Sequence, residues 1–221
     1  MQKIKALLFD LDGTLVNSEI IHFDCWNEIL EEYGIKLTYD VWLKNYAGIP
    51  LPAKAEKLIK KYNIETPQAE IIRKKEQITI ERLRSKDVDM MPYATEVLNY
   101  FSEQKLILGL VTASSRADAE TIFERNGLDR YFNVIITRSE VNKSKPDPES
   151  YNTCLHKLDV FKEECVVFED TINGVKAAKA AGLLCFAIQS NAIIRDELSM
   201  ADQLFLNLNE AKEYLVKHLL I

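Results

Sequence analysis

Two aspartates one residue apart follow a short apolar run near the start of the 221-residue chain. Asp10 and Asp12 come directly after residues 6–9, and a Gly-Thr pair follows them. A short apolar run that ends at a glycine turn is typical of a buried parallel strand, whose last residues emerge at the carboxyl edge of a sheet. Two carboxylates this close repel each other, which favours a bound divalent cation or a raised pKa on one of them. Phosphoryl transfer uses both effects.

Further polar residues follow other strand-like runs along the chain. They are Thr112, Ala113 and Ser114 after one run, Lys145 in the loop after the next, and Glu169 and Asp170 after a third. The carboxyl ends of parallel strands meet at one edge of the sheet, where open α/β folds bind their ligands. We therefore expect all of these side chains to face one crevice, together with the two aspartates.

Each of these residue types has a role in phosphoryl transfer. The Asp10 carboxylate can attack phosphorus and form an aspartyl-phosphate. Asp12 can protonate the leaving oxygen and later take a proton from water. The Thr112 hydroxyl and the Ala113 N–H can bind the phosphoryl oxygens at the start of a helix. The Lys145 ammonium adds positive charge where negative charge must be held.

The same carboxylates predict a magnesium site. Mg²⁺ prefers carboxylate and carbonyl oxygens and retains several waters. Asp10, the backbone carbonyl of Asp12 and the Asp170 carboxylate make a partial coordination shell, with Glu169 in support. A cation there would screen the approach of an anionic nucleophile to an anionic phosphate.

The elements that must position these groups form two blocks with different patterns. Between residues 17 and 89 the pattern is helical, since His22, Trp26 and Ile29 recur at spacings of three and four, and no strand-like run occurs. Glycine and proline divide this stretch into four helices. It is too long for an ordinary connection between neighbouring strands, so we interpret residues 17–89 as an inserted helical domain.

After residue 90, predicted helices and strands alternate. The predicted helices are 93–104, 116–126, 148–158, 174–181 and one from 209, and the strands are 106–111, 134–136, 166–168, 184–188 and 204–206. Strands separated by helices indicate a doubly wound parallel sheet in an α/β fold. We expect residues 1–16 and 90–221 to form this core domain.

Composition narrows the classes of partner. Lys+Arg 28 against Asp+Glu 34 gives a net charge of −6, and the basic residues are interspersed with acidic ones, which argues against nucleic-acid binding.

The cysteines Cys25, Cys154, Cys165 and Cys185 lack metal-site spacing and are expected to be free and buried. No signal-peptide or membrane-spanning pattern occurs, so we expect a cytoplasmic protein without a membrane partner. We expect a monomer, although the sequence does not determine the oligomeric state.

Taken in order, these motifs resemble the haloacid dehalogenase superfamily. The matching stretches are Asp10-Leu-Asp12-Gly-Thr, Val111-Thr112-Ala-Ser-Ser, Lys145-Pro-Asp-Pro and Glu169-Asp170-Thr-Ile-Asn-Gly174. The resemblance spans nearly the whole chain and implies a Rossmann-like core with a helical cap that closes over the site. It also implies a Mg²⁺-dependent phosphatase that acts on a small phosphorylated metabolite. Asp12 favours phosphate chemistry, because the dehalogenases of this superfamily lack the second aspartate.

Within the superfamily the chain is most similar to the β-phosphoglucomutase-like phosphatases, which carry a histidine and a tryptophan four residues apart on the first cap helix. His22 and Trp26 match that pattern. The substrate contacts that we expect from the resemblance involve residues on both domains. They are Ala113, Ser114 and Arg116 on the core, and His22, Gly48 and Lys75 on the cap.

Two other functions remain open. A hexose phosphate mutase of the β-phosphoglucomutase type would need a cation in the cap loop after Gly48, where this chain has Leu51, although Lys74 or Lys75 could substitute. A signalling receiver domain also phosphorylates an aspartate beside Mg²⁺, a Thr/Ser and a Lys. Receivers place the acceptor aspartate on a middle strand and lack the long helical insertion, which makes them the poorer match.

Overall fold

Six strands form one parallel sheet in the computed structural model, which describes residues 3–85 and 88–220. The strands are β1 (Ala6–Phe9), β2 (Ile107–Val111), β3 (Val134–Ile136), β4 (Cys165–Glu169), β5 (Leu184–Ile188) and β6 (Gln203–Phe205). Their order across the sheet is β3-β2-β1-β4-β5-β6, and each neighbouring pair runs parallel. The strand order therefore changes direction between β1 and β4, and this switch point is where ligands bind in open α/β sheets.

Helices connect the strands and cover both faces of the sheet. They are α1 (Glu19–Glu31), α2 (Tyr39–Asn45), α3 (Leu51–Tyr62), α4 (Gln68–Ser85), α5 (Ala94–Glu103), α6 (Arg116–Asn126), α7 (Glu149–Leu158), α8 (Ile172–Ala180), α9 (Ala192–Arg195) and α10 (Leu208–His218). None of the helices in the described ranges combines the length and the apolar character that a membrane crossing requires. The doubly wound α/β fold predicted from the sequence is confirmed.

β1 is the centre of the core. All four of its residues are fully buried, and Phe9 stacks on Phe168 of β4 with ring centroids 4.6 Å apart. A strand that is covered on both faces has no solvent side for polar residues, which explains its continuous apolar sequence. The chain leaves this apolar environment at Asp10, directly at the carboxyl edge.

The inserted helices α1–α4 follow β1 and precede α5, as the sequence predicts. α1 and α3 pack on α4, and α4 packs on α6 of the core. The chain segments that enter and leave this insertion run side by side, because Asn17 N–H donates to the Asp89 carbonyl and Met91 N–H donates to the Leu15 carbonyl, both at 2.8 Å. The exact division into domains at residues 17 and 89 stays a prediction.

Most predicted element ends agree with the structure within two residues. α8 begins two residues earlier than predicted, because the Thr171 hydroxyl accepts a hydrogen bond from Gly174 N–H and caps the helix at Thr171. The short helix α9 was not predicted, since four residues cannot show a helical period. All four cysteines are free and buried, as expected.

Candidate active site

Lys145 and Asp10 form the centre of the site. The Lys145 ammonium donates to Asp10 Oδ1 at 2.6 Å, to Glu169 Oε1 at 2.6 Å and to the Val111 carbonyl at 2.7 Å. Its three donors thus reach the ends of β1, β2 and β4. Burial alone would lower the pKa of Lys145, but the carboxylates of Asp10 and Glu169 raise it well above its usual range. Lys145 is therefore a permanently charged ammonium at the switch point of the sheet.

Asp12 is surrounded by hydroxyl groups. Its Oδ2 accepts from Ser114 Oγ at 2.6 Å and from Thr112 Oγ1 at 3.1 Å, and its Oδ1 accepts from Ser18 Oγ at 2.5 Å. His22 Nε2 lies 3.7 Å from the same Oδ1. Burial would raise the pKa of Asp12, but His22 and these hydroxyls more than offset it and hold the pKa well below its usual value. Asp12 is consequently ionised at neutral pH in this arrangement.

Asp10, Glu169 and Asp170 form a cluster of three buried carboxylates, with one oxygen from each within 4.8 Å of the others. Burial raises the pKa of Asp10 well above its usual value, against the opposing charge of Lys145 and with Glu169 and Asp12 adding to it. The pKa of Asp170 is raised for the same reason, first by burial and then by Asp10 and Glu169. One ammonium does not balance this much buried negative charge.

The cluster fits a divalent cation. Among the described residues, the hydrogen bonds to the side chains of Asp10 and Asp170 involve only their Oδ1 atoms, to Lys145 and Thr14 respectively. Their Oδ2 atoms are left as ligands of the kind that Mg²⁺ prefers. A cation there would also relieve the repulsion that raises both pKa values. The expected backbone ligand at Asp12 stays a prediction.

Glu169 supports the cluster through hydrogen bonds at both of its oxygens. Oε1 accepts from Lys145 and from Tyr151 Oη, and Oε2 accepts from the backbone N–H groups of Asp170 and Thr171 and from the Thr171 hydroxyl. With its acceptor sites occupied in this way, Glu169 orients Lys145 and the start of α8. Glu169 was predicted from the sequence to support a metal site, but no sequence pattern predicted its hydrogen-bond donor Tyr151.

Two glycines allow these side chains to sit so close to the backbone. A Cβ built on Gly13, whose φ is +87°, would lie 2.1 Å from Asp170 Oδ2. A Cβ on Gly174 would lie 1.7 Å from Glu169 Oε1. Both distances are too short for any side chain, so the site requires glycine at these two positions.

A cavity of about 110 Å³ opens beside Asp10 between the sheet edge and the inserted helices. Eight of the residues expected at the site line it, namely Asp10, Asp12, His22, Gly48, Lys75, Ala113, Ser114 and Lys145. Thr112 is buried, donates to Asp12 and accepts from Ser114 N–H. The volume is small beside the ~300–1,000 Å³ of drug-sized pockets. It therefore suits a small metabolite.

Lys75 and His22 meet at the wall of the cavity that the inserted helices supply. Lys75 Nζ lies 3.2 Å from His22 Nδ1, and Lys75 is 7% exposed. Burial lowers the pKa of Lys75, while Asp118 opposes that shift. Gly48 lies in the loop before α3, and its carbonyl accepts from Asn173 Nδ2 of α8 at 2.7 Å.

Arg116 is not brought to this cavity. Its guanidinium binds Glu140 through Nε at 3.1 Å and through an Nη at 2.8 Å, and it donates to the Ile135 carbonyl. The side chain thus fastens the start of α6 to the region of β3. Its expected contact with the substrate stays a prediction.

Several further residues, which no sequence pattern indicated, also line the cavity. They are Glu19, Lys54, Asp118, Arg138 and Asn173. Arg138 pairs with Glu76 of α4 at 2.7 Å, which joins the core to the inserted helices. Asp118 is 6% exposed, and its Oδ1 has no hydrogen-bond partner within the described ranges. Polar residues on helices usually face solvent, so only the tertiary structure shows that these line the cavity.

A family model described as haloacid dehalogenase-like hydrolase matches residues 7–188. The chain belongs to this family. It is 32% identical over 184 residues to a phosphorylated carbohydrates phosphatase from Thermotoga maritima, a match that covers 81% of this chain and 82% of the relative. It is 29% identical to fructose-1-phosphate phosphatase YqaB of Escherichia coli, which covers 82% of this chain and 95% of that protein.

Solved structures agree with the family assignment. A crystal structure of CbbY from Rhodobacter sphaeroides in complex with xylulose-(1,5)bisphosphate is 26% identical, with a TM-score of 0.80, and the match covers 91% of this chain and 93% of that chain. The structural neighbours also include putative β-phosphoglucomutases. This member of the haloacid dehalogenase-like hydrolases is therefore an enzyme, and the relatives from Thermotoga maritima and Escherichia coli described above are named as phosphatases.

Proposed function

We propose that this enzyme is a Mg²⁺-dependent phosphatase that hydrolyses a small sugar phosphate through an aspartyl-phosphate on Asp10. The observation that carries the proposal is the contact of Lys145 with both Asp10 and Glu169 at 2.6 Å, beside the Asp170 carboxylate. These groups come from three separate chain segments. Their convergence at one switch point supplies a nucleophile, a cation that neutralises negative charge and ligands for a metal.

In the first step, a carboxylate oxygen of Asp10 attacks phosphorus, and the bond from phosphorus to the sugar oxygen breaks. Asp12 gives its proton to that leaving oxygen, and it can acquire this proton because an approaching anionic phosphate raises the pKa of a nearby carboxylate. Lys145, the Thr112 hydroxyl and the Ala113 N–H stabilise the negative charge on the phosphoryl oxygens. Bound Mg²⁺ would supply further charge neutralisation to the transferring group.

In the second step, water attacks the aspartyl-phosphate and Asp12 accepts its proton. The bond between phosphorus and Asp10 breaks, which releases inorganic phosphate, restores the Asp10 carboxylate and leaves on Asp12 the proton that the next leaving oxygen requires. The ionised state in which Ser18, Thr112 and Ser114 hold Asp12 is the state that a general base requires.

A sugar as the leaving group is supported by the acceptors in the cavity and by the relatives. The unpartnered Asp118 Oδ1 can accept a hydrogen bond from a substrate hydroxyl, which would satisfy a buried group that otherwise costs about 1–3 kcal/mol. The two phosphatases described above are named for phosphorylated carbohydrates and for fructose 1-phosphate.

The test uses purified protein, Mg²⁺ and a panel of sugar phosphates, with release of inorganic phosphate as the readout. Asp10→Asn should lower turnover by about 10³-fold or more, because an amide is not a nucleophile at phosphorus. Acid quenching with labelled substrate should trap phosphoprotein in the wild type and none in the variant. Asp40→Asn makes the same chemical change at an exposed position and should leave activity unchanged. Substantial hydrolysis by Asp10→Asn would exclude the proposed nucleophile.

A hexose phosphate mutase uses the same first step but returns the phosphoryl group to the sugar. Leu51, the first residue of α3, lines the cavity and offers no cation for a second phosphate, which favours hydrolysis. Supplying β-glucose 1-phosphate with a bisphosphate primer separates the two activities. Free phosphate supports the phosphatase, whereas glucose 6-phosphate without free phosphate would establish the mutase.

A further inference from the structure

Asp118 brings a buried carboxylate without a hydrogen-bond donor to the wall of the cavity. It lies in the first turn of α6, is 6% exposed and lines the cavity that contains Asp10. Within residues 3–85 and 88–220, its Oδ1 is buried without a hydrogen-bond partner, and its carboxylate forms no ion pair. A carboxylate in this state has lost its hydration and gained no donor in return, which is unfavourable.

The place of Asp118 at the start of a helix does not explain this burial. The hydroxyl of Ser115 caps α6 by accepting a hydrogen bond from the Asp118 N–H at 3.2 Å, a contact that leaves the carboxylate unused. A carboxylate in the first turn interacts favourably with the helix dipole, but it does so without burial, as the exposed Glu70 in the first turn of α4 illustrates. The lost hydration of Asp118 therefore needs another reason.

The charge of Asp118 is balanced, although no donor contacts it. Burial lowers the pKa of Lys75, and Asp118 is the group whose charge most opposes that shift. Arg138, which pairs with Glu76, lines the same cavity. These cations supply opposite charge but no hydrogen bond to Asp118. The carboxylate therefore lacks a donor rather than a counter-charge.

A substrate bound at Asp10 also reaches Asp118. Both residues line one cavity of about 110 Å³, and Asp118 follows Ser114, which donates to Asp12, by only four residues. The phosphoryl group carries negative charge, so it and the Asp118 carboxylate repel each other. The uncharged part of the substrate is consequently the part that faces Asp118.

A neutral hydroxyl is the donor that fits this position. An ammonium group would enter a cavity that already contains Lys75, Arg138 and Lys145, and like charges repel. A hydroxyl supplies the missing donor and adds no charge. A substrate without a hydroxyl here would exclude water from Asp118 and leave the carboxylate unpaired, which is how a buried polar group rejects an incomplete ligand.

We propose that Asp118 is a specificity-determining residue that accepts a hydrogen bond from one hydroxyl group of the leaving sugar. This inference rests on the proposed phosphatase function and deepens it. The enzyme should select phosphate esters of polyhydroxylated compounds over those without a hydroxyl donor. At the carbon that faces Asp118, it should select a neutral hydroxyl over an ammonium group.

The first experiment compares sugar phosphates with acetyl phosphate, which has no hydroxyl donor. The readout is the kcat/KM for fructose 1-phosphate and for glucose 6-phosphate, each divided by the kcat/KM for acetyl phosphate. Asp118→Ala should lower the ratio for at least one sugar by about 10- to 100-fold, as expected for a hydrogen bond to a charged acceptor. If neither ratio falls, Asp118 acts through Lys75 or supports the fold, and the inference is wrong.

Two further variants separate recognition from structure. Glu124→Ala removes a carboxylate from an exposed position of α6 and should keep the ratio. Asp118→Asn retains an acceptor oxygen and should keep more of the ratio than Asp118→Ala does. Asp118→Ala should melt within about 4 °C of the wild type, because a carboxylate at a helix start contributes little to stability.

The second experiment identifies the hydroxyl with the four monodeoxy analogues of glucose 6-phosphate. With the wild type, the kcat/KM of one analogue should fall about 10- to 100-fold below that of the parent sugar. With Asp118→Ala the same analogue should fall by no more than about twofold, because the acceptor is already gone. Independent losses for every analogue would contradict the contact. A preference for the amino analogue over the parent at that carbon would show that the site selects a cation.

The outcomes also separate this inference from the proposed function. If neither acetyl phosphate nor any sugar phosphate is hydrolysed, the phosphatase proposal fails. If sugar phosphates are hydrolysed and Asp118→Ala leaves their ratios to acetyl phosphate unchanged, the phosphatase stands and the role of Asp118 is refuted.

Discussion

At the residue scale, the charge balance of the site depends on Lys145. Its ammonium is 4% exposed and contacts two carboxylates and one carbonyl, all at the ends of strands. A flexible lysine is held there because each of its three protons has an acceptor. Removing it would leave Asp10 and Glu169 buried without their cation.

Lys145→Ala should lower the free energy of unfolding by about 3–5 kcal/mol, the usual cost of breaking a buried ion pair at one partner. Urea denaturation in the presence of EDTA measures the effect without compensation by a metal. Lys143→Ala, two residues away, removes an exposed lysine whose Nζ is 3.8 Å from Asp147, and it should cost less than about 1 kcal/mol. Equal losses for the two variants would contradict the structural role of Lys145.

Lys54 also makes stability depend on pH. Burial lowers its pKa to about 8 in the folded protein, whereas the unfolded chain has the ordinary lysine value, so only the unfolded chain holds this proton between about pH 8 and 10. The contribution of Lys54 to the free energy of unfolding therefore rises with pH between about pH 8 and 10.

Relative to Lys54→Met, the wild type should gain on the order of 2 kcal/mol between pH 7.5 and pH 10, since each unit of pKa difference is worth about 1.4 kcal/mol. Urea denaturation of both proteins in an anion-poor buffer measures this difference. Lys60→Met changes an exposed lysine of α3, the helix that carries Lys54. The free energy of unfolding of Lys60→Met should change with pH in the same way as that of the wild type across this range. A constant gap between the wild type and Lys54→Met would show that Lys54 keeps an ordinary pKa.

At the element scale, the loop before α3 docks on the start of α8. The Gly48 carbonyl accepts from Asn173, and a Cβ on Gly48 would lie 3.1 Å from Thr171 Cγ2 and 3.2 Å from its Cβ. The φ of Gly48 is +68°, a conformation that side chains disfavour. Glycine therefore lets the loop approach the core closely and hold the inserted helices over the cavity.

Gly48→Ala should lower kcat/KM by on the order of tenfold, because displacing this loop misplaces the groups that position the substrate. Gly34→Ala is the matched control. Its φ is +69°, but a Cβ there meets nothing within 4 Å. Both variants should lose about 1 kcal/mol of stability from the disfavoured backbone conformation. Activity losses of equal size would show that the contact with Thr171 has no role in catalysis.

At the scale of the whole molecule, the sheet order concentrates negative charge at one point. β1 and β4 are neighbours at the switch point, so Asp10 and the Glu169-Asp170 pair, 159 and 160 residues apart in sequence, reach the same place. Folding therefore works against their repulsion unless a cation is bound. Metal binding should in consequence stabilise the entire fold.

Mg²⁺ at about 100 times its dissociation constant should raise stability by about 2.7 kcal/mol, which corresponds to about 5–10 °C in Tm for a chain of this length. Thermal unfolding with EDTA and then with Mg²⁺, at matched ionic strength, measures the shift. Asp170→Asn should abolish most of it, whereas the exposed Asp40→Asn should retain it. The same shift in Asp170→Asn would place the cation elsewhere.

The sequence by itself determined the order of strands and helices and the chemistry at the strand ends. Continuous apolar runs, helical periods and glycine turns are local patterns, and they predicted the α/β fold, β1 and the convergence of Asp10, Lys145 and Asp170. Parallel topology then fixed which ends meet, because the carboxyl ends of parallel strands share one edge.

Only the tertiary structure decided which charged helical residues face the cavity. Lys54, Asp118 and Arg116 are all polar residues on helices, and nothing in their local sequence separates them. Packing buries Lys54 and Asp118 against the cavity and turns Arg116 toward Glu140. The direction of a long side chain depends on neighbours from distant segments, which periodicity along the chain does not contain.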